Sequence, residues 1–117
     1  MNNTNKEQEG KVKSMVVKIQ NNDMTEVEKS ELAVVDFSAT WCGPCKMLAP
    51  VFHELAEEMG GIDFFNADVD ENRELAEKYG IQGVPSVLVF KKGVQADRSV
   101  GFQAKDKLRQ FIEAQKN

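Results

Sequence analysis

Both cysteines of the chain lie in one short run, Trp41-Cys42-Gly43-Pro44-Cys45. Residues spaced in this way share one face of a helical turn about 5 to 6 Å apart, which matches the Cα separation that a disulfide spans. The pair can close and open with little backbone movement. If Cys42 is the N-cap of a helix, its sulfur faces the unpaired N–H groups of the first turn, and Cys45 can donate one of them. Those dipoles favour a thiolate, so Cys42 is the expected nucleophile. Pro44 falls in the first turn, where its missing N–H costs nothing and its φ suits a helix.

Other uses of the same pair are weaker. A structural zinc site needs four ligands, and the only further soft ligand is His53, so no metal is expected. An inert structural disulfide closing so short a ring removes little unfolded-state entropy. A redox-active dithiol is the preferred reading.

The elements that must position the dithiol are legible as alternating strands and helices. Met15 to Ile19 is a short β-branched strand, and Asn21-Asn22-Asp23 can cap a brief helix over Met24 to Ser30. Leu32 to Ser38 is nearly continuous apolar sequence, as in a strand covered on both faces, and its one charge, Asp36, is the anomaly. From Cys45 to Met59, Leu48, Val51, Phe52, Leu55 and Met59 recur at helical spacing, with Pro50 expected to kink the helix. Ile62 to Ala67 reads as a strand. Asp70 can cap a helix from Glu71 to Tyr79 that Gly80 ends. Ser86 to Lys91 and about Asp97 to Gly101 read as a hairpin joined through Lys92-Gly93. A last helix carries Leu108, Phe111 and Ile112 on one face, and Ala104 gives it a weak start without a capping oxygen. This order implies a central mixed sheet with helices on both faces.

Composition narrows the function. The chain has 117 residues, 15 Lys+Arg against 19 Asp+Glu, a net charge of -4 and 41% hydrophobic residues. A domain of this length buries roughly 65% of its unfolded surface, enough for a core without metal or disulfide staples. The acidic balance and scattered basic residues argue against nucleic-acid binding. The longest apolar run, Ser86 to Phe90, is far short of a membrane span. Residues 1–13 hold one aliphatic side chain, Val12, and read as a disordered polar tail before a domain over 14–117. With no basic and apolar leader in that polar start, the expected location is cytoplasmic.

The run from Val35 through Asp36, Trp41-Cys42-Gly43-Pro44-Cys45-Lys46-Met47 and Pro50, with Tyr79-Gly80-Ile81-Gln82-Gly83-Val84-Pro85-Ser86 further on, resembles the thioredoxin family from about Met15 to the C-terminus. The resemblance implies an α/β thioredoxin fold, with a central mixed sheet of about five strands (three parallel plus an antiparallel hairpin) flanked by four helices. It implies a monomeric thiol-disulfide oxidoreductase that reduces protein disulfides. The redox-active disulfide takes the place of a bound cofactor, and the implied partners are client proteins and a flavoprotein thioredoxin reductase.

In such a reaction Cys42 attacks a client disulfide, and Cys45 then attacks Cys42 to release the reduced client. Cys45 must lose its proton in the second step. Asp36 is the candidate base, because burial raises a carboxyl pKa toward neutrality, and the resemblance assigns it the same role. An edge-facing Asp36 that reaches solvent is the plain alternative. X-Pro bonds are cis in only about 5 to 6% of folded cases, so the residues alone favour a trans Pro85, whereas the resemblance implies a cis bond. The resemblance also implies that the cis bond leaves the Val84 backbone free to pair with an extended client. Trp41, Gly43, Pro44, Val84, Pro85, Gly101 and Phe102 are expected to form an apolar platform around Cys42. Trp41 could instead enter the core, and Phe102 could fill a gap under the hairpin. His53 and Lys46 read as solvated helix positions.

Two residues depart from the family pattern. Asn66 stands where many thioredoxins have a lysine beside the buried aspartate, and Ser38 stands where some bacterial members have a second tryptophan. Two rival functions share the sequence: an oxidant or isomerase on the same fold, and a non-catalytic binding subunit of a larger complex.

Overall fold

The computed structural model describes residues 15–116. Its elements, in chain order, are β1 (Val16–Ile19), α1 (Thr25–Lys29), β2 (Leu32–Ser38), α2 (Gly43–Glu58), β3 (Asp63–Asp68), α3 (Arg73–Lys78), β4 (Ser86–Lys91), β5 (Val94–Val100) and α4 (Lys105–Glu113). The expected tail over 1–13 lies outside the described residues. Among the described residues, no helix is long and apolar enough to cross a membrane.

The strands form one sheet in the order β1-β3-β2-β4-β5. β1 and β2 run parallel to β3, β4 is antiparallel to β2, and β5 is antiparallel to β4. This is the expected mixed sheet flanked by four helices. The continuous apolar run of β2 follows from its central place, since six of its seven residues are buried on both faces. One face packs Val34, Phe64, Val87 and Val89 under Leu48, Phe52 and Leu55 of α2 and Leu108 and Ile112 of α4. The other packs Val35, Phe37, Phe65, Leu88 and Phe90 against Val27 of α1 and Leu75 of α3.

Several boundaries move from the sequence reading. β5 starts at Val94, not near Asp97. Lys92 and Gly93 both take positive φ, 51° and 83°, the conformation of a two-residue hairpin turn, so pairing begins at once. The early residues Val94-Gln95-Ala96-Asp97 alternate in type, but Val94 and Ala96 are exposed, so the strand is held by backbone pairing and not by a buried face. Asp70 does not cap α3. Asp68 Oδ1 accepts from the N–H groups of Asp70 and Glu71 at 2.8 and 3.2 Å, and the helix begins only at Arg73. The helix carrying the dithiol starts at Gly43, ends at Glu58 and runs through Pro50, which lies on its exposed side. Ala104 precedes α4 with no side-chain cap, as its residue type implies. That first turn is tied instead by Lys105, which reaches Glu54 at 3.1 Å and Glu58 at 2.5 Å on α2, while Arg109 also bridges to Glu58.

Candidate active site

β2 delivers the chain to the sheet's end, and a short turn carries it into α2. Cys42 is the N-cap of that helix, with extended backbone angles, and its sulfur accepts the Cys45 N–H at 3.2 Å. The two cysteines are joined in a disulfide with Cα atoms 5.3 Å apart. This is the separation that the spacing predicts, and it places the first sulfur at the positive end of the helix.

Exposure does not separate the sulfurs, since Cys42 is 5% and Cys45 4% accessible. Their surroundings do. Cys42 lines a groove of about 610 Å³ with Trp41, Gly43, Pro44 and Val84, and its Sγ lies 3.6 Å from the Val84 carbonyl oxygen. Cys45 lines a different cavity, of about 270 Å³, together with Asp36, Ser38 and Asn66. A reduced Cys42 thiol could hydrogen-bond to the Val84 oxygen.

The groove wall is built by loops that converge on the N-terminus of α2. Trp41 is 69% exposed, not a core residue, and its indole N–H donates to Asp70 Oδ2 at 2.9 Å. The carboxylate that was expected to cap a helix thus holds the tryptophan. The Val84–Pro85 peptide bond is cis, and the Pro85 carbonyl accepts the Gly101 N–H at 2.8 Å. That bond brings Gly101 (φ 95°) to the dithiol end of the sheet, in a conformation that favours glycine. Phe102 is 39% exposed rather than packed under the hairpin, yet of the expected platform none of Pro85, Gly101 and Phe102 lines the groove beside Cys42. Val69, Ile81, Gln82 and Gly83 do line it, and the sequence reading did not name them as site residues. The signal was present for three of them, because Ile81-Gln82-Gly83 directly precedes Val84-Pro85. Val69 had none, being brought in by the Val69 N–H bond to the Ser38 carbonyl.

Asp36 sits on the central strand and is 3% exposed, so the edge-facing alternative is ruled out. Its Oδ1 has no hydrogen-bond partner among the described residues. Burial pushes its carboxyl up to about 7, with the neighbouring Asn66 amide pulling the other way. Asn66 Nδ2 donates to the Asp36 backbone carbonyl at 3.1 Å and to Ser38 Oγ at 2.9 Å. The two positions that depart from the family pattern are therefore bonded to each other beside the buried acid. Lys46 and His53 are exposed on α2, as expected, but both line the mouth of the Cys45 cavity.

Comparison with known proteins decides the family. The sequence matches the thioredoxin family over residues 12–114. The chain belongs to the thioredoxin family. It is 44% identical over 99 residues to thioredoxins of Staphylococcus epidermidis and Staphylococcus aureus, covering 84% of this chain and 95% of each relative. Among solved structures, a mutant thioredoxin from Halobacterium salinarum superposes with a TM-score of 0.80 at 38% identity, covering 86% of this chain and 90% of that one. A thioredoxin from Malassezia sympodialis superposes at 0.76 with 35% identity, covering 85% and 89%. This thioredoxin-family chain is a thiol-disulfide oxidoreductase, and Cys42–Cys45 is its redox-active disulfide.

Proposed function

We propose that the protein reduces disulfides of client proteins in two steps divided between the two cavities. Cys42 attacks from the groove. A client strand held along Trp41, Gly43, Pro44 and Val84 presents its disulfide, and the Cys42 thiolate forms a mixed disulfide while the first client thiolate leaves. Gly101, bonded to the Pro85 carbonyl, and Phe102 stand outside that groove and would meet only a client that extends past Pro85. Cys45 then loses its proton to Asp36 across the smaller cavity and displaces the client from Cys42. No cofactor or metal takes part.

The observation that carries this reading is the division itself: two sulfurs of one disulfide face two separate spaces, one a larger groove walled by Trp41 and Val84, the other holding a buried acid. The oxidised protein is returned to the dithiol by a flavoprotein reductase, in the cytoplasm, and acts as a monomer on residues 14–117.

Trapping tests the assignment. Cys45→Ser is expected to accumulate covalent adducts through Cys42 that survive denaturation and are released by dithiothreitol. Adducts that wash off under denaturing conditions would make the chain a binding subunit. The reduction potential tests the direction: a value of about -260 mV or lower fits a reductant, whereas one above about -200 mV would make it an oxidant or isomerase.

A further inference from the structure

On the sheet face that α2 covers, the cross-strand rows change character abruptly. The registers set Val16, Phe64 and Val34 side by side, and two residues further on they set Lys18, Asn66 and Asp36 side by side. Alternation puts both rows on the same face. The first row is packed core. The second runs from the edge strand β1 inward as a lysine, an amide and a carboxylic acid, and all three line the cavity that reaches Cys45. Above them α2 contributes Ala49, whose small side chain leaves the space open. With strands about 4.8 Å apart, the Lys18 and Asp36 backbones are about 10 Å apart, and a lysine stem closes much of that distance.

Asn66 stands between them but carries no charge, and its Nδ2 is committed to the Asp36 carbonyl and Ser38 Oγ. Four other ionisable groups face the cavity. Cys45 is the proton donor itself. Asp68 on β3 is engaged by the Asp70 and Glu71 N–H groups, and of the three exposed cations Lys18, Lys46 and His53 only Lys18 lies in the row, the other two standing on α2.

We propose that Lys18 is a positioning residue for the dithiol reaction, holding positive charge in the cavity shared by Asp36 and Cys45 so that the Asp36 carboxylate is present to take the Cys45 proton. This rests on Asp36 being the base. In that step the Cys45 S–H bond breaks and the proton goes to Asp36. The electron pair left on sulfur forms the Cys42–Cys45 bond as the Cys42–client bond breaks. The client sulfur leaves with the pair from the broken bond and takes a proton from solvent. Asp36 returns its own proton to solvent through the cavity mouth.

The test uses the full chain. The Asp36 carboxyl is titrated by its ¹³C chemical shift in the reduced protein, and single-turnover reduction of a small symmetric aromatic disulfide follows the second step by the release of the second of its two coloured thiols, the first having left when Cys42 attacked. Removing a cation disfavours the carboxylate. Lys18→Gln is therefore expected to raise the Asp36 midpoint by about half a pH unit or more and to slow the second step about two- to threefold at pH 7. Lys18→Arg should restore both, and His53→Gln and Lys46→Gln should leave the midpoint in place. A midpoint unmoved in Lys18→Gln, or one that follows His53 or Lys46 instead, overturns the assignment of Lys18 and leaves Asp36 as base. If Asp36→Asn leaves the second step and its pH profile unchanged, the base reading itself fails, and Lys18 falls with it.

Discussion

On one side of the Cys42–Cys45 disulfide lies a groove walled by Trp41, Ile81 and Val84, and on the other a smaller cavity lined by Asp36, Asn66 and Lys18. The sulfurs are almost equally buried, so accessibility does not assign their roles. The difference lies in what each space supplies. The groove offers apolar contact and a backbone carbonyl, which suit an extended client of any sequence. The cavity offers a buried acid whose carboxyl is pushed up to about 7 and which shares its space with Cys45, an arrangement that suits proton transfer. A disulfide exchanged in two steps needs both surroundings, and the one turn between Cys42 and Cys45 keeps them apart.

The largest effect expected is the loss of the attacking sulfur. Cys42→Ser should lower the rate of client disulfide reduction about a thousandfold or more, read by thiol release, while leaving the Asp36 titration of the cavity side in place.

Breaking the cavity side comes next. Asp36→Asn should slow resolution of the mixed disulfide about tenfold or more at pH 7, with the first step unaffected. The same substitution has a stability signature. The unfolded carboxyl titrates near 3.8 and the native one at about 7. Between those values the native state holds a proton that the unfolded chain has lost. The stability this contributes is fully present below the lower value and is lost as pH rises through the upper one. Asp36→Asn removes that loss. Its advantage in denaturant unfolding should grow from nothing near pH 4 to roughly 3 to 4 kcal/mol at pH 8. A pH-independent difference between the two proteins would mean that the carboxyl is not held neutral by burial.

A substitution confined to the groove should sharpen the division. Trp41→Ala removes a largely exposed side chain, so stability should change little, while KM for protein clients rises about five- to tenfold. The Asp36 midpoint should not move. If it shifts as far as in Lys18→Gln, the two sides are not separable. The smallest effect is expected from Asp70→Ala, which frees the indole N–H held at 2.9 Å and should raise the same KM about two- to threefold.

Much of this arrangement was legible in local sequence because local physics produces it. The N-cap role of Cys42 follows from the cysteine spacing and Pro44, and the bond from Cys45 N–H to Cys42 Sγ needs only one turn of helix. The central strand was legible because two covered faces demand an unbroken apolar run, against which Asp36 stands out. The start of β5 was not legible, since an exposed edge strand is held by backbone pairing that any side chain permits. The capping role given to Asp70 failed for a related reason: two neighbouring aspartates are equivalent locally, and only packing turned Asp68 to the backbone and Asp70 to Trp41.

By itself, the sequence determined the reactive pair, its place at a helix N-terminus, the alternation of strands and helices, and the acid in an apolar strand. All of these depend on residues close together in the chain. Only the tertiary structure decided which space each sulfur faces, that Val69 walls the groove, and that Lys18 shares a row with Asp36. Those facts follow from the register of strands far apart in sequence, where a shift of one residue would have sent Lys18 to the opposite face.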